Sequence, residues 1–280
     1  MKNINWSELG FGYFKTDYNV RCEYKDGKWG ELYATEDVNM NIHMASTCLH
    51  YGQEVFEGLK AFRGADGKVR LFRVEENAKR MINSGEYLKM AVPSVELFTK
   101  ACIEAVKLNA DYIPPYGSGA SLYLRPMLIG VGPQVGVKPS ADYLFAVFVT
   151  PVGPYYKDGF NCIKVIIDYD HDRAAPKGTG HVKVGGNYAA SLDSGEIAHQ
   201  KGFASVIFLD PATKQYIDEC SAANFFGIRD GKYITPDSHS VLPSITNKSL
   251  RQIAEDLGLK VEQRKVGVEE LPTFSEAGCC

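Results

Sequence analysis

Between Lys177 and Tyr188 the chain reads Lys-Gly-Thr-Gly-His-Val-Lys-Val-Gly-Gly-Asn-Tyr, with four glycines around Lys183 and a valine on either side of it. Glycine lets backbone come close to a ligand, and an amine between apolar neighbours is readily desolvated, which lowers its pKa. A neutral amine is the form that attacks a carbonyl to make a Schiff base. The stretch fits neither phosphate-loop pattern. It has no G-x-x-x-x-G-K-[ST], and Gly178-x-Gly180 lacks the third glycine of a dinucleotide fingerprint. Taken singly, a Gly-Lys loop is a solvated surface loop, because most lysines are exposed.

Four further places carry groups with chemical potential. Along Ser121-Leu122-Tyr123-Leu124-Arg125, strand alternation puts Tyr123 and Arg125 on one face, where a guanidinium fork suits a carboxylate. Arg80 follows a hairpin on a helical stretch, by default a surface position. Leu242-Pro243-Ser244-Ile245-Thr246-Asn247 leads into a helix, whose unpaired amides and positive end suit an anion, although capping by Ser244 or Thr246 is the commoner use. Ile217-Asp218-Glu219-Cys220-Ser221 sets two carboxylates at a strand end, ordinarily a solvated edge. Asp168 to Asp172 is acidic but reads as a solvated turn, no histidine cluster has metal-ligand spacing, and no Gly-x-Ser-x-Gly elbow is present.

These residues need elements to position them. Asp26-Gly27, Asp66-Gly67 and Asp230-Gly231 predict tight hairpins, with strands at Lys68–Arg73, Phe225–Ile228 and Lys232–Thr235 beside the last two. Helical spacing governs Val74, Ala78, Met81 and Ile82, and again Val95, Phe98, Cys102, Ala105, Val106 and Asn109, with Ser94 as the second N-cap. Strands are expected at Ser121–Leu128, at Tyr143–Val149 (continuously apolar, hence central), near Cys162–Asp168, and at Phe203–Asp210 and Gln215–Asp218. A last helix through Leu250, Ile253, Ala254 and Leu257 closes at Gly258. The proline- and glycine-rich run Pro151–Gly159 is the best boundary. Hairpins mixed with helices predict two α+β domains rather than a doubly wound parallel sheet: residues 1–152 as a smaller α/β domain, 153–160 as an interdomain loop and 161–280 as a larger one.

Composition narrows the class. A length of 280 residues suits two domains of roughly 150 residues each. A formal charge of −3 offers no global basic field, so nucleic acid is not expected as a partner. No apolar run reaches the length of about 18 residues that spans a membrane, and the N-terminus lacks the plan of a signal peptide. Seven scattered cysteines without a C-x-x-C pair point to reduced thiols in a cytoplasm.

Read together, the segments resemble the branched-chain amino acid aminotransferases, pyridoxal-phosphate enzymes of fold type IV. The matching residues are Phe11-Gly through Asp17, Leu49-His50-Tyr51-Gly52, Val55-Phe56-Glu57-Gly58-Leu59-Lys60-Ala61-Phe62, Leu71-Phe72-Arg73, Leu122 to Pro126, Lys183 to Tyr188, Glu219 to Asn224 and Leu242-Pro243, in one order along nearly the whole chain. The resemblance implies Lys183 as Schiff-base lysine, Tyr188 on the cofactor's phenolic oxygen, Glu219 facing the pyridine nitrogen, and Arg80 with the Ile245 and Thr246 amides at the phosphate. It implies Tyr123 and Arg125 as substrate readers, Arg125 for the distal carboxylate of glutamate or 2-oxoglutarate. Tyr51, Phe56 and Tyr155 would wall the side-chain pocket, and Arg173 would lie near the cofactor lysine. The implied cofactor is pyridoxal 5'-phosphate, with no metal. The substrates would be L-leucine, L-isoleucine and L-valine with 2-oxoglutarate, and the assembly a homodimer.

Ala222 stands where the family usually has threonine or glycine, and Ser244 where it has glycine. The family also continues past Gly278 into a Gly-Thr-Ala turn, so the cofactor domain is expected to be incomplete at its C-terminus. The alternatives are a D-amino acid aminotransferase, an aminodeoxychorismate lyase, or a truncated cofactor-binding protein without turnover. Comparing L-leucine with D-alanine separates the first two from the branched-chain type: the Tyr123–Arg125 segment predicts turnover of L-leucine, and preferential turnover of D-alanine would overturn that choice.

Overall fold

The computed structural model describes residues 2–155 and 161–280. It divides into two compact units, Met1–Asn161 and Cys162–Cys280. Of the expected interdomain loop 153–160, residues 156–160 lie outside the described residues.

The N-terminal unit is built on an eight-stranded sheet. Its strands are β1 (Asn19–Lys25), β2 (Lys28–Trp29), β3 (Tyr33–Thr35), β4 (Glu54–Phe56), β5 (Leu59–Arg63), β6 (Val69–Leu71), β7 (Ser121–Gly130) and β8 (Tyr143–Val152). The path runs β2-β1-β8-β7-β5-β6, with β3 on β1 and β4 on β7. The continuously apolar β8 is central, as its sequence predicts, because a strand covered on both faces has no use for alternation. Helices α1 (Thr47–His50), α2 (Val74–Tyr87) and α3 (Val95–Leu108) complete the unit. Ser94 caps α3 by accepting from the Leu97 amide at 3.1 Å. The core joins Phe98 of α3, stacked on Phe145 of β8 at 5.8 Å, with Leu122, Leu124 and Leu128 from the inward face of β7.

The C-terminal unit carries β9 (Val165–Asp168), α4 (Gly185–Ala190), α5 (Leu192–Gln200), β10 (Ser205–Leu209), β11 (Ile217–Cys220), β12 (Ala223–Arg229), β13 (Lys232–Pro236), α6 (Ile245–Asp256), β14 (Lys260–Arg264) and β15 (Glu276–Cys279). Its seven strands run β14-β13-β12-β11-β10-β9, with β15 on β12. Two pairs are parallel, β9 with β10 and β13 with β14; the second is bridged by α6. The helix closes as expected: Gly258 takes a φ of 81°, and the Leu259 amide returns to the Ala254 carbonyl at 2.9 Å.

Two of the three Asp-Gly turns behave as their sequence predicts. Asp26 and Gly27 (φ 52° and 76°), like Asp230 and Gly231 (φ 50° and 70°), take left-handed conformations at both positions between adjacent strands. The third is longer. Residues 64–68 all lie between β5 and β6, and of the Asp66-Gly67 pair only Gly67 has positive φ. The expected strand Lys68–Arg73 shortens to Val69–Leu71 accordingly.

Asn109, expected as one more position on the apolar face of a helix, instead ends α3 and braces the start of β1. Its side-chain amide donates to the Tyr18 and Ala105 carbonyls at 3.0 and 2.8 Å, and its oxygen accepts from the Tyr18 amide at 3.1 Å. Asn109→Leu leaves both Tyr18 groups unpartnered. A loss of about 2–3 kcal/mol is expected, read as a lower urea midpoint at unchanged slope.

Candidate active site

In the C-terminal unit Lys183 sits at the end of a loop whose shape is fixed by its neighbours. Val182 and Val184 are buried and anchor the chain on both sides. The Asn187 amide donates to the Thr179 and Val182 carbonyls at 2.7 and 3.0 Å and accepts from the Thr179 hydroxyl at 2.7 Å, tying the loop to the first turn of α4. The Lys183 Nζ donates to the Tyr188 hydroxyl at 2.6 Å. At Gly180 the close approach is to protein, not ligand, since an added Cβ would lie 2.3 Å from the Ser240 carbonyl oxygen.

Glu219 is not on a solvated edge. Strand β11 lies inside the sheet between β10 and β12, and both Asp218 and Glu219 are 4% exposed. Three donors converge on the Glu219 carboxylate: the Arg173 guanidinium and the Leu242 amide (3.3 Å) on Oε1, and the Asn224 side chain (2.9 Å) on Oε2. Burial pushes this carboxyl up to about 7, against the opposing pull of Arg173, Leu242 and Asn224. Arg173 also donates to the Gly180 and Ser240 carbonyls at 2.6 Å each, so a single guanidinium joins the lysine loop, the 238–240 turn and Glu219.

Ile245 and Thr246 are the first two residues of α6, where backbone amides have no intrahelical acceptor. Ser244 serves as the cap, accepting from the Asn247 amide at 3.0 Å, so the departure from glycine leaves the Ile245 and Thr246 amides to another acceptor. The Asn247 side chain donates to Asn224 Oδ1 at 3.1 Å and to the Thr235 hydroxyl at 2.9 Å, and Tyr233 donates to it at 2.9 Å. A buried chain of amides thus runs from Glu219 to the head of α6. A carboxylate, an amine with a phenol, and a helix start are the donor set that a phosphorylated pyridine aldehyde requires.

In the N-terminal unit Phe56, Tyr123 and Arg125 come together. Arg125 donates to the Tyr123 hydroxyl at 2.8 Å and lies over Phe56 with its guanidinium carbon 4.7 Å from the ring centroid. Tyr155 joins through Phe11, whose ring meets Tyr123 and Tyr155 edge-on at 5.2 and 5.4 Å. Gly58 makes room for this group: a Cβ there would lie 2.2 Å from the Tyr123 hydroxyl. Tyr51 is not part of it. Its ring is 41% exposed and rests on His50 at 4.1 Å, with its hydroxyl on the Val135 carbonyl.

Arg80 is not a surface arginine. Its Nε and Nη2 each reach the fully buried Glu57 carboxylate at 2.8 Å, and Asn77 donates to the same carboxylate at 2.7 Å. Glu57, Asn77, Asn187 and Asn224 are the positioning residues that sequence reasoning missed. Glu57, Asn187 and Asn224 stand inside matching segments and Asn77 three residues before Arg80, but residue type alone is silent on burial.

The chain matches the family described as amino-transferase class IV over residues 54–280. It is 52% identical to the branched-chain-amino-acid aminotransferase of Haemophilus influenzae, covering 100% of this chain and 83% of that protein, and 52% identical to the Helicobacter pylori one over the same shares. Its fold is that of an Escherichia coli branched-chain amino acid aminotransferase crystal structure, with a TM-score of 0.78 at 27% identity over 95% of this chain and 83% of that one. A T.th. branched-chain amino acid aminotransferase complexed with N-(5'-phosphopyridoxyl)-L-glutamate gives 0.72 at 28% identity over 92% and 81%.

The elevated Glu219 carboxyl has a consequence for stability. A carboxyl raised from its ordinary 4.5 to about 7 holds its proton longer when folded, so its contribution is full below pH 4.5 and fades as pH rises toward 7. Glu219→Gln is expected to flatten the fall in melting temperature of the ligand-free protein across that window, and an unaltered slope would show that Glu219 titrates elsewhere.

Proposed function

The chain belongs to the class IV amino-transferase family, with the fold type IV architecture of its structural neighbours, and from that membership we propose how its residues carry out the transamination of branched-chain amino acids. L-leucine, L-isoleucine and L-valine donate the amino group, 2-oxoglutarate receives it, and branched-chain 2-oxo acids and L-glutamate leave. The observation that carries the assignment of roles is the 2.6 Å contact between the Lys183 amine and the Tyr188 phenol, in the unit where Glu219 is buried among three donors.

Pyridoxal 5'-phosphate, when bound, supplies an electron-withdrawing ring that accepts the charge left as the substrate's α-proton departs. Lys183 provides the amine that holds the cofactor between turnovers and, once displaced, takes the α-proton and returns it. Tyr188 donates to the phenolic oxygen of the ring. Glu219, held in place by Arg173 and Asn224, keeps a proton on the pyridine nitrogen. The Ile245 and Thr246 amides receive the phosphate with the positive end of α6 behind them, and Arg80 adds its charge. Phe56 and Tyr155 give the branched side chain apolar surface, while Tyr123 and Arg125 read the distal carboxylate of the dicarboxylate substrate. On this reading residues 161–280 are the cofactor-binding domain and residues 1–152 the domain that reads the substrate.

A homodimer is part of the proposal. Two segments of the N-terminal unit, one running into α1 and the other the loop after β7, are joined where the Gln134 amide meets the Ala45 carbonyl and expose Met44 (87%), Leu49 (60%), Val135 (81%) and Val137 (88%) beside Tyr51. Apolar surface gathered in this way suits a second copy, which would cover the outward-turned Tyr51 ring. Residence in the cytoplasm is supported by the seven free cysteines.

Borohydride reduction of the protein loaded with pyridoxal phosphate, followed by peptide mapping, tests the assignment. The label is expected on Lys183 alone and should be lost in Lys183→Met; a label on any other lysine would end this reading.

A further inference from the structure

On one face of the β5–β7 pair stand two cations with no carboxylate partner among the described residues. One is Arg125, which among the described residues donates to Tyr123 alone and keeps a buried Nε with no acceptor. The other is Lys60. In the antiparallel register of β5 and β7, Lys60 stands directly opposite Tyr123, which puts the two side chains on one face of the sheet. Arg125, two residues beyond Tyr123, shares that face, so Lys60, Tyr123 and Arg125 form a single row of neighbours. Phe11 ties the row together: its ring meets Tyr123 at 5.2 Å, and the Lys60 ammonium lies 6.0 Å from its centroid.

We propose that Lys60 is a second cation for the distal carboxylate of the dicarboxylate substrate, working with Arg125 across the β5–β7 pair. The proposal rests on the transaminase reading above. Its physical basis is uncompensated charge. Lys60 is half-buried, and burial, with no opposing anion, pushes its ammonium below the ordinary lysine value. A cation–π contact at the limit of its range returns little of the lost hydration. Two desolvated cations on one face, with no anion beside them among the described residues, are stabilised when a carboxylate arrives between them.

The two side chains also differ in a way that suits a site receiving both apolar and acidic side chains. Arg125 is fixed, pinned by the Tyr123 hydroxyl and stacked on Phe56. Lys60 has a flexible four-carbon stem that can lie along the Phe11 ring when a branched side chain fills the space, and can bring its ammonium forward when a carboxylate does. A rigid fork sets the position, and a retractable charge discriminates between the two classes of substrate.

Steady-state kinetics of K60M against wild type, with leucine and 2-oxoglutarate varied separately, tests this. The KM for 2-oxoglutarate is expected to rise about tenfold more than that for leucine, the scale of one charge-assisted hydrogen bond. K60R should recover most of the difference, and inhibition by glutarate should weaken in K60M in parallel with 2-oxoglutarate binding. Equal shifts in both KM values, or no shift in either, would overturn the role of Lys60 while leaving wild-type transamination, and so the wider reading, intact. Wild-type protein that reacts with neither substrate would overturn both. Should K60M fail to fold, K60Q reads the same difference between the two substrates.

Discussion

The C-terminal unit is organised around the burial of one carboxylate. Taking an ionised glutamate out of water costs several kcal/mol unless donors replace its hydration, and removing one partner of a buried ion pair costs about 3–5 kcal/mol. The donors to Glu219 come from three separate segments: Arg173 ahead of the lysine loop, Leu242 in the turn before α6, and Asn224 on the neighbouring strand. Because each must be present for the others to be tolerable, the requirement of one side chain fixes the relative positions of three pieces of backbone. Arg173 extends the same constraint to Gly180 and Ser240, whose backbones approach so closely that only glycine fits at position 180.

The N-terminal unit treats charge in two opposite ways. Glu57 and Arg80 satisfy each other, with Asn77 taking up a further lone pair, and this pair is part of the packing of α2 against the sheet. Lys60 and Arg125 have no anion beside them among the described residues, on the face of the same sheet that Phe11 covers. A paired charge such as Arg80 is fixed in position before any ligand arrives, whereas a desolvated charge with no counter-ion beside it is stabilised most when an anion binds.

Much of the scaffold was legible because periodicity and turn chemistry act locally. The Val74 and Val95 helices, the Ser94 cap, the Asp-Gly turns at 26–27 and 230–231 and the central position of β8 all follow from short-range rules. The third Asp-Gly pair misled because the same dipeptide serves a longer loop, whose length depends on where pairing resumes. Lys183 and Tyr188 could be named from an ordered match of motifs, but the burial of Glu219 could not. An acidic residue at a strand end reads as solvated until the strands on both sides are known. Arg80 was named, but its pairing with Glu57 escaped for the same reason: it joins positions on different elements, which spacing along the chain does not encode. Tyr51 was expected at a pocket wall, whereas its own chain turns it outward.

The amide chain from Glu219 through Asn224 to Asn247 also limits how this protein can diverge. Asn247 holds its place at the head of α6 by three side-chain bonds at once, and Asn224 shares its oxygen with Asn247 and its nitrogen with Glu219. A change of residue type at either asparagine would disturb both ends, so drift at one must be answered by simultaneous change at the other. Such residues are poor starting points for gradual specialisation. Variation among descendants of this chain should therefore accumulate in the aromatic and cationic row of the N-terminal unit, where each side chain can be exchanged without unsettling a buried carboxylate.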